Sequence, residues 1–215
     1  NVQKAIDAAS AGDTICLTAG ILEESIVVNK SLTIIGGYDD SFKDVIGRTV
    51  FDGSNGNFAH MITIEPYAYC ELENINITGG KATTSGDNKG AGIYSKGIYL
   101  TLKNCDVHDN LATDKGGGIY AQYQLQAYDC KFYNNRASND GGAFYANSSN
   151  TWRFTFQNCL FRENRATIGG AGYITGMVRG YFKGNSFLSN TARSSAGALY
   201  LGNKKEQTLN LTFLN

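Results

Sequence analysis

Three cysteines, Cys105, Cys130 and Cys159, open matching stretches of this sequence: Asn104-Cys-Asp-Val, Asp129-Cys-Lys-Phe and Asn158-Cys-Leu-Phe. Thiols held in line can act as redox pairs or as soft metal ligands. If these stretches stack as neighbouring strands, their Cα atoms lie roughly 4.8 Å apart. That is inside the disulfide range, but parallel Cβ vectors suit the disulfide dihedral poorly. Buried free thiols, one disulfide within the column and a metal centre are therefore the three readings. Cys16 and Cys70 lie elsewhere, and five cysteines leave at least one unpaired within the chain.

Carboxylates are the second source of chemistry. Asp114 and Asp140 each stand just before a glycine run and form the pair best placed for a Ca2+ ion, set against a reading as solvated turn acids. A calcium site needs about six to eight converging oxygens, and a glycosidase needs two well-placed carboxyls. Asp106, Asp109, Asp129 and Glu163 are further acids on the strand side, but no acid cluster with nearby Arg and Lys stands out on one face. His60 and His108 have no Ser or Cys partner recognisable by spacing.

Aromatic residues offer binding rather than catalysis. Tyr94, Tyr120, Tyr145, Tyr173 and Tyr200 each follow a Gly/Ala-rich segment. If the residues before them face inward, strand alternation sends the rings outward as a ladder. Such a ladder either stacks for stability or meets a sugar ring or a protein partner. Trp152, the only tryptophan, falls in the stretch from Ala146 to Arg153, which reads as the longest surface loop. Asn29, Asn76, Asn147 and Asn210 head Asn-x-Ser/Thr triplets, acceptors for glycans only in a secreted chain of an organism that glycosylates asparagine.

The elements that must position these residues follow from a repeat. Asn110, Asn135, Asn164 and Asn190 are 25, 29 and 26 residues apart, with Gly80 in the same place one repeat earlier. Two residues later come Ala82, Ala112, Ala137, Ala166 and Ala192. Five residues upstream stand Ile75, Cys105, Cys130, Cys159 and Asn185, followed at two by Ile77, Val107, Phe132, Phe161 and Phe187. A unit of this size, broken by Asn, Asp and Gly, has room for three short strands and three turns and for no helix. It cannot bury its apolar face alone, so the units must stack. The expected fold is an all-β parallel β-helix, with the asparagines as a structural ladder at a turn.

The chain before the repeats reads as a cap and a start. Residues 1–12 place Val2, Ala5, Ile6 and Ala9 on one helical face, suited to covering the open first coil. Residues 13–71 form irregular first coils with a surface insertion at 38–52, and residues 72–215 carry the regular repeats as part of one domain. Leu211-Thr-Phe213 aligns with the next strand, and the open apolar coil there predicts that more protein follows or that another subunit covers it. Nineteen basic residues balance nineteen acidic ones, so net charge favours neither nucleic acid, an anionic membrane nor a strongly charged polymer. No stretch approaches the length of a transmembrane helix.

Phe132-Tyr-Asn-Asn135, Phe161-Arg-Glu-Asn164 and Phe187-Leu-Ser-Asn190, with Gly141-Gly-Ala-Phe144 and Gly169-Gly-Ala-Gly172, resemble the Phe-x-x-Asn and Gly-Gly-Ala-(Ile/Leu/Val) motifs of polymorphic membrane protein repeats. The opening, a helix then Gly-Asp-Thr-Ile and later Lys-Ser-Leu-Thr-Ile-Ile-Gly, resembles pectin-lyase-like domains. The resemblance implies a right-handed β-helix on a surface-exposed or secreted protein. The expected function is a non-enzymatic rod that binds a host or neighbouring-cell surface protein or glycan. A polysaccharide lyase or hydrolase is the rival, and a filament subunit joined through Leu211 and Phe213 is a third reading. No cofactor is expected beyond Ca2+ at Asp114 and Asp140.

Overall fold

The computed structural model describes residues 1–202 and 209–214, the side chains of 148–152, 177–178 and 209–214 excepted. It is a right-handed parallel β-helix of about seven turns with one short helix, Val2–Ala8, at its start. Asn1 caps that helix by accepting from the Lys4 amide at 3.1 Å, and Val2 and Ile6 are buried against the first coil.

Each regular coil has four strand segments rather than the expected three. One coil runs Tyr99–Lys103, Asp106–His108, Leu111–Ala112 and Ile119–Ala121. Its neighbours repeat this in register, Val107 beside Ile77 and Phe132, and Tyr94 beside Tyr120. The extra segment is the two-residue one at the alanine column, too short to show in a hydropathy pattern. Stacking makes a seven-stranded sheet, a narrow five-stranded sheet and a thirteen-stranded sheet. The last contains two faces, joined because Phe144–Gln157 and Gly172–Lys183 are continuous strands. The loop expected between Ala146 and Arg153 is thus part of a strand, paired with its neighbour across an irregularity between Ser148 and Trp152. Backbone pairing along the stack outweighs the polar composition of Asn147 to Thr151.

Corners are set by residues with positive φ, which Asn and Asp tolerate better than most side chains. Asn74, Asn104, Asp129 and Asn158 make the first corner, each just before the cysteine column or its equivalent. Asp109, Asn134, Glu163 and Ser189 make the second, just before the asparagine column.

The third corner explains both the alanines and the glycines. The narrow sheet runs back-to-back against the Gly-rich turn with almost no space between them. A Cβ on Gly117 would meet the Arg136 carbonyl at 2.3 Å, and one on Gly142 would meet the Arg165 amide nitrogen at 2.7 Å. Only Ala fits on the inward side of these strands, and Ala82, Ala112, Ala137 and Ala166 are all buried.

The wider part of the cross-section holds the core. Phe132, Phe161 and Phe187 stack with centroids 4.9 and 4.7 Å apart. Phe144 and Phe156 lie beside them, 4.6 Å apart. Gly172 leaves room for the Phe144 ring, where a Cβ would come within 2.3 Å of it.

Candidate functional site

The cysteine column is a set of buried free thiols: no disulfide joins any of the five cysteines. Cys105, Cys130 and Cys159 each give their Sγ to a backbone carbonyl two residues back, at 3.2, 3.2 and 3.3 Å. Burial pushes the Cys70 thiol up to about 12 and Cys105 well above its ordinary range. Asn185 continues the column by other means, accepting from the Cys159 amide and donating to the Phe156 carbonyl.

The asparagine column forms a continuous amide chain. Asn110, Asn135 and Asn164 each donate Nδ2 to the Oδ1 of the next, at 3.1, 3.1 and 2.9 Å, ending at Asn190. The same oxygens accept the backbone amides of the preceding rung. Gly80 donates its amide to Asn110 instead, and a Cβ there would meet the Ala91 carbonyl at 2.0 Å.

The tyrosines also form a ladder. Tyr94, Tyr120, Tyr145, Tyr173 and Tyr200 stand outward from buried Ile93, Ile119 and Phe144, with successive centroids 5.4, 5.4, 5.2 and 4.8 Å apart. His60 heads the stack, 4.9 Å from Tyr94, and binds Asp87 at 2.6 Å. Ring faces are therefore turned to one another, and Lys96, Lys89 and Lys115 sit over Tyr94, Tyr120 and Tyr145. Tyr145 is only 5% exposed. Burial raises Tyr120 and Tyr145 to about 12. A ligand meeting this column meets edges and hydroxyls.

Asp114 and Asp140 lie beside the ladder in different columns. Asp114 follows Asn88 and precedes Asn139, whereas Asp140 stacks on Lys115. Lysines hold both: Lys89 is 3.7 Å from Asp114 and Lys115 is 3.5 Å from Asp140, while Asn139 donates to Asp114 at 2.9 Å. Among the described residues no group of three or more His, Cys, Asp or Glu is arranged to hold a metal ion. The side chains of Trp152, Leu211, Phe213 and Asn210 fall outside the described residues. Asn29 is exposed and Asn147 half-buried, whereas Asn76 sits within Ile75–Thr78 and accepts from Arg48.

The site that sequence reasoning missed is on the outer side of the broad sheet. Strands Leu32–Tyr38, Tyr69–Glu73, Tyr99–Lys103 and Gln124–Tyr128, followed by the ends of Phe144–Gln157 and Gly172–Lys183, bear three depressions. The first, about 320 Å³, is lined by Ser31, Thr33, Tyr69, Tyr99 and Thr101. It shares Glu71 and Thr101 with the second, about 560 Å³, which adds Glu73, Lys103 and Asp129. That shares Gln126 and Tyr128 with the third, about 540 Å³, which adds Arg153, Thr155, Gln157, Arg179 and Tyr181. Together they make one groove along the helix axis.

Its chemistry is mixed. Tyr69 stacks on Tyr99 at 4.8 Å and is 48% exposed. Glu71 takes Lys103 at 2.7 Å, and the carboxylate holds that ammonium above its ordinary range. Tyr128 donates to Gln126 at 3.1 Å. Arg153 and Arg179 are register neighbours and exposed, and among the described residues neither makes an ion pair. Glu73 and Asp129 likewise have no ion pair there, although Asp129 accepts from Asn158 at 3.1 Å. The signal for this groove was available only as outward positions of strands whose residue types change at every rung.

Comparisons with known proteins agree on the fold. A family model described as a right handed beta helix region matches residues 36–212. A search of curated proteins finds no match to the sequence. Among solved structures, the pectin methylesterase from Aspergillus niger in deglycosylated form is similar at a TM-score of 0.51 and 12% identity, over 99% of this chain and 79% of that one. At that identity the likeness is one of fold.

Proposed function

From the premise that the chain belongs to the right-handed β-helix family, we propose that it is a non-enzymatic rod of an extracellular or cell surface whose broad-face groove binds a glycan chain. The observation that carries this reading is exposed Tyr69, stacked on half-buried Tyr99, leading into the same groove as Arg153 and Arg179, which among the described residues make no ion pair. A flat aromatic face takes the apolar side of a sugar ring. Amides, hydroxyls and guanidinium groups further along take its hydroxyls and carboxylates. The Phe-x-x-Asn and Gly-Gly-Ala motifs support a place among surface-exposed repeat proteins. Binding to a glycan array without product release, weakened about tenfold by Tyr69→Ala, is the expected result. Equal binding by Tyr69→Ala and by the double variant Arg153→Gln, Arg179→Gln would remove the groove from the function.

One observation favours the enzyme as the second reading: Glu71, Glu73 and Asp129 all line the middle depression. Glu71 and Glu73 alternate on one strand, so both side chains leave the same face from Cα atoms roughly 7 Å apart, which puts two carboxyls, as glycoside hydrolysis requires, in one depression. Release of reducing ends or unsaturated products from a polysaccharide, abolished by Glu73→Gln, would replace the binding reading with this one.

A further inference from the structure

The balance of nineteen basic and nineteen acidic residues conceals an uneven distribution. On the narrow sheet, outward positions are Lys81, Leu111, Arg136, Arg165 and Thr191 in one column, by register. The next outward positions are Thr83, Thr113, Ser138, Thr167 and Arg193. Neither column contains a carboxylate.

Arg136, Arg165 and Arg193 are all exposed and line one shallow depression of about 190 Å³ with Leu111, Ser138 and Thr167. Among the described residues none of the three makes an ion pair or a side-chain hydrogen bond. The acids that flank the sheet are committed elsewhere. Asp109 holds His108 at 2.7 Å, Glu163 holds Arg162 at 3.4 Å, and Asp114 and Asp140 hold Lys89 and Lys115. Thr167 gives its hydroxyl to the Ser138 carbonyl at 2.6 Å.

Like charges directly opposite on neighbouring strands destabilise a sheet. Arg136 and Arg165 are direct register partners, with Cα atoms about 4.8 Å apart. Among the described residues no carboxylate pairs with either of them. A ligand that brings closely spaced anions would relieve that repulsion through paired charge-assisted hydrogen bonds.

We propose that the narrow sheet is a second binding surface, for a linear sulfated polysaccharide laid along the helix axis. The shape of the basic feature selects this partner. It is two columns wide and continues over three successive strands, about 10 Å from Arg136 to the strand of Arg193, which fits a single chain bearing an anion at short intervals. A lipid surface needs a broad plane, and this stripe is bordered on both sides by paired acids.

The test is heparin as the probe, measured by calorimetry at several salt concentrations on the whole chain. The triple variant Arg136→Gln, Arg165→Gln, Arg193→Gln is compared with Arg153→Gln, Arg179→Gln on the broad face. The unaltered protein is expected to bind heparin, more weakly as salt rises. The triple variant loses at least tenfold in affinity while its unfolding midpoint is unchanged or higher, and the broad-face variant, whose arginines belong to the glycan groove, loses less than the triple variant. Absence of heparin binding, or equal binding by the triple variant, would overturn the proposal. Binding lost only in the broad-face variant would assign the anion to the groove instead. Capture by phosphatidylserine vesicles with no affinity for heparin would replace the polysaccharide with a membrane.

Discussion

The tyrosine ladder and the broad-face groove both set aromatic rings outside the same thirteen-stranded sheet, and they differ in what is left over. In the ladder, ring meets ring from His60 to Tyr200, with lysines over three of the rings. In the groove, the row that begins with Tyr69 and Tyr99 continues by register through Gln124, Arg153 and Arg179. Identical residues stacked in a solenoid satisfy one another. A column that repeats is therefore spent on the fold, whereas a column that changes from rung to rung leaves groups for a partner. The asparagine chain is the extreme of the first kind, and the narrow-sheet arginines, flanked by Leu111 and Thr191, are of the second.

The largest effect is expected where a repeating column is broken. Asn135 is buried, accepts from both the amide and the side chain of Asn110, and donates to Val107 and Asn164. Asn135→Ala leaves the buried Asn110 amide without an acceptor, at about 1 to 3 kcal/mol per orphaned group. A loss of about 3 kcal/mol or more is expected from urea unfolding. A loss below about 1 kcal/mol would mean that the ladder is not what fixes this corner.

Next comes a repair that should fail. Gly80 interrupts the asparagine column, and Gly80→Asn restores the repeat on paper. In the fold its Cβ would meet the Ala91 carbonyl, which is backbone and cannot swing away. Overpacking of this kind costs about 2 kcal/mol, so a lowered thermal midpoint is expected. A raised one would show that column identity outweighs local space.

A smaller effect separates the ladder from the groove by pH. Burial holds Tyr120 and Tyr145 at about 12, above the ordinary 10.0 of an unfolded chain. The unfolded chain therefore loses those protons first. The stability they contribute is complete below pH 10 and falls as pH rises through 12. Phenolate absorbance should lag in the folded protein over that window, and Tyr120→Phe with Tyr145→Phe should flatten the alkaline loss of stability. An unchanged alkaline profile in that double variant would assign the loss to other groups.

The same distinction explains what could be read from the sequence. Columns of Asn, Ala, Phe and Tyr gave the coil and the inward face because repetition is visible without coordinates. The corners at Asn104, Asp129 and Asn158 are equally regular, but backbone conformation rather than one residue type unites them, and that is not visible in a residue column. Trp152 reads as a loop residue because the spacing from Tyr145 to Cys159 is the longest of the repeats, whereas the extra residues are taken up by a strand that pairs with the next coil across an irregularity. The groove was illegible: Glu71, Thr101, Gln126, Thr155 and Tyr181 share a column by register and share no chemistry. Arg136 and Arg165, each directly after a ladder asparagine, were in view, but whole-chain neutrality hid their segregation.

The smallest change in stability should accompany the clearest change in binding, and Tyr69→Ala is where the two are weighed. Tyr69 has one ring neighbour and half of its surface in solvent, so an exposed cross-strand pair contributes only about 0.5 kcal/mol. Tyr145, between two rings and nearly covered, gives up two such contacts and buried area besides. Tyr145→Ala is thus expected to lower the unfolding midpoint clearly and Tyr69→Ala barely, while glycan affinity falls about tenfold for Tyr69→Ala alone. Equal destabilisation by the two would mean that Tyr69 is a rung like the others. The division between columns spent on the fold and columns left for a partner would then fail on the broad face, where it matters most for function.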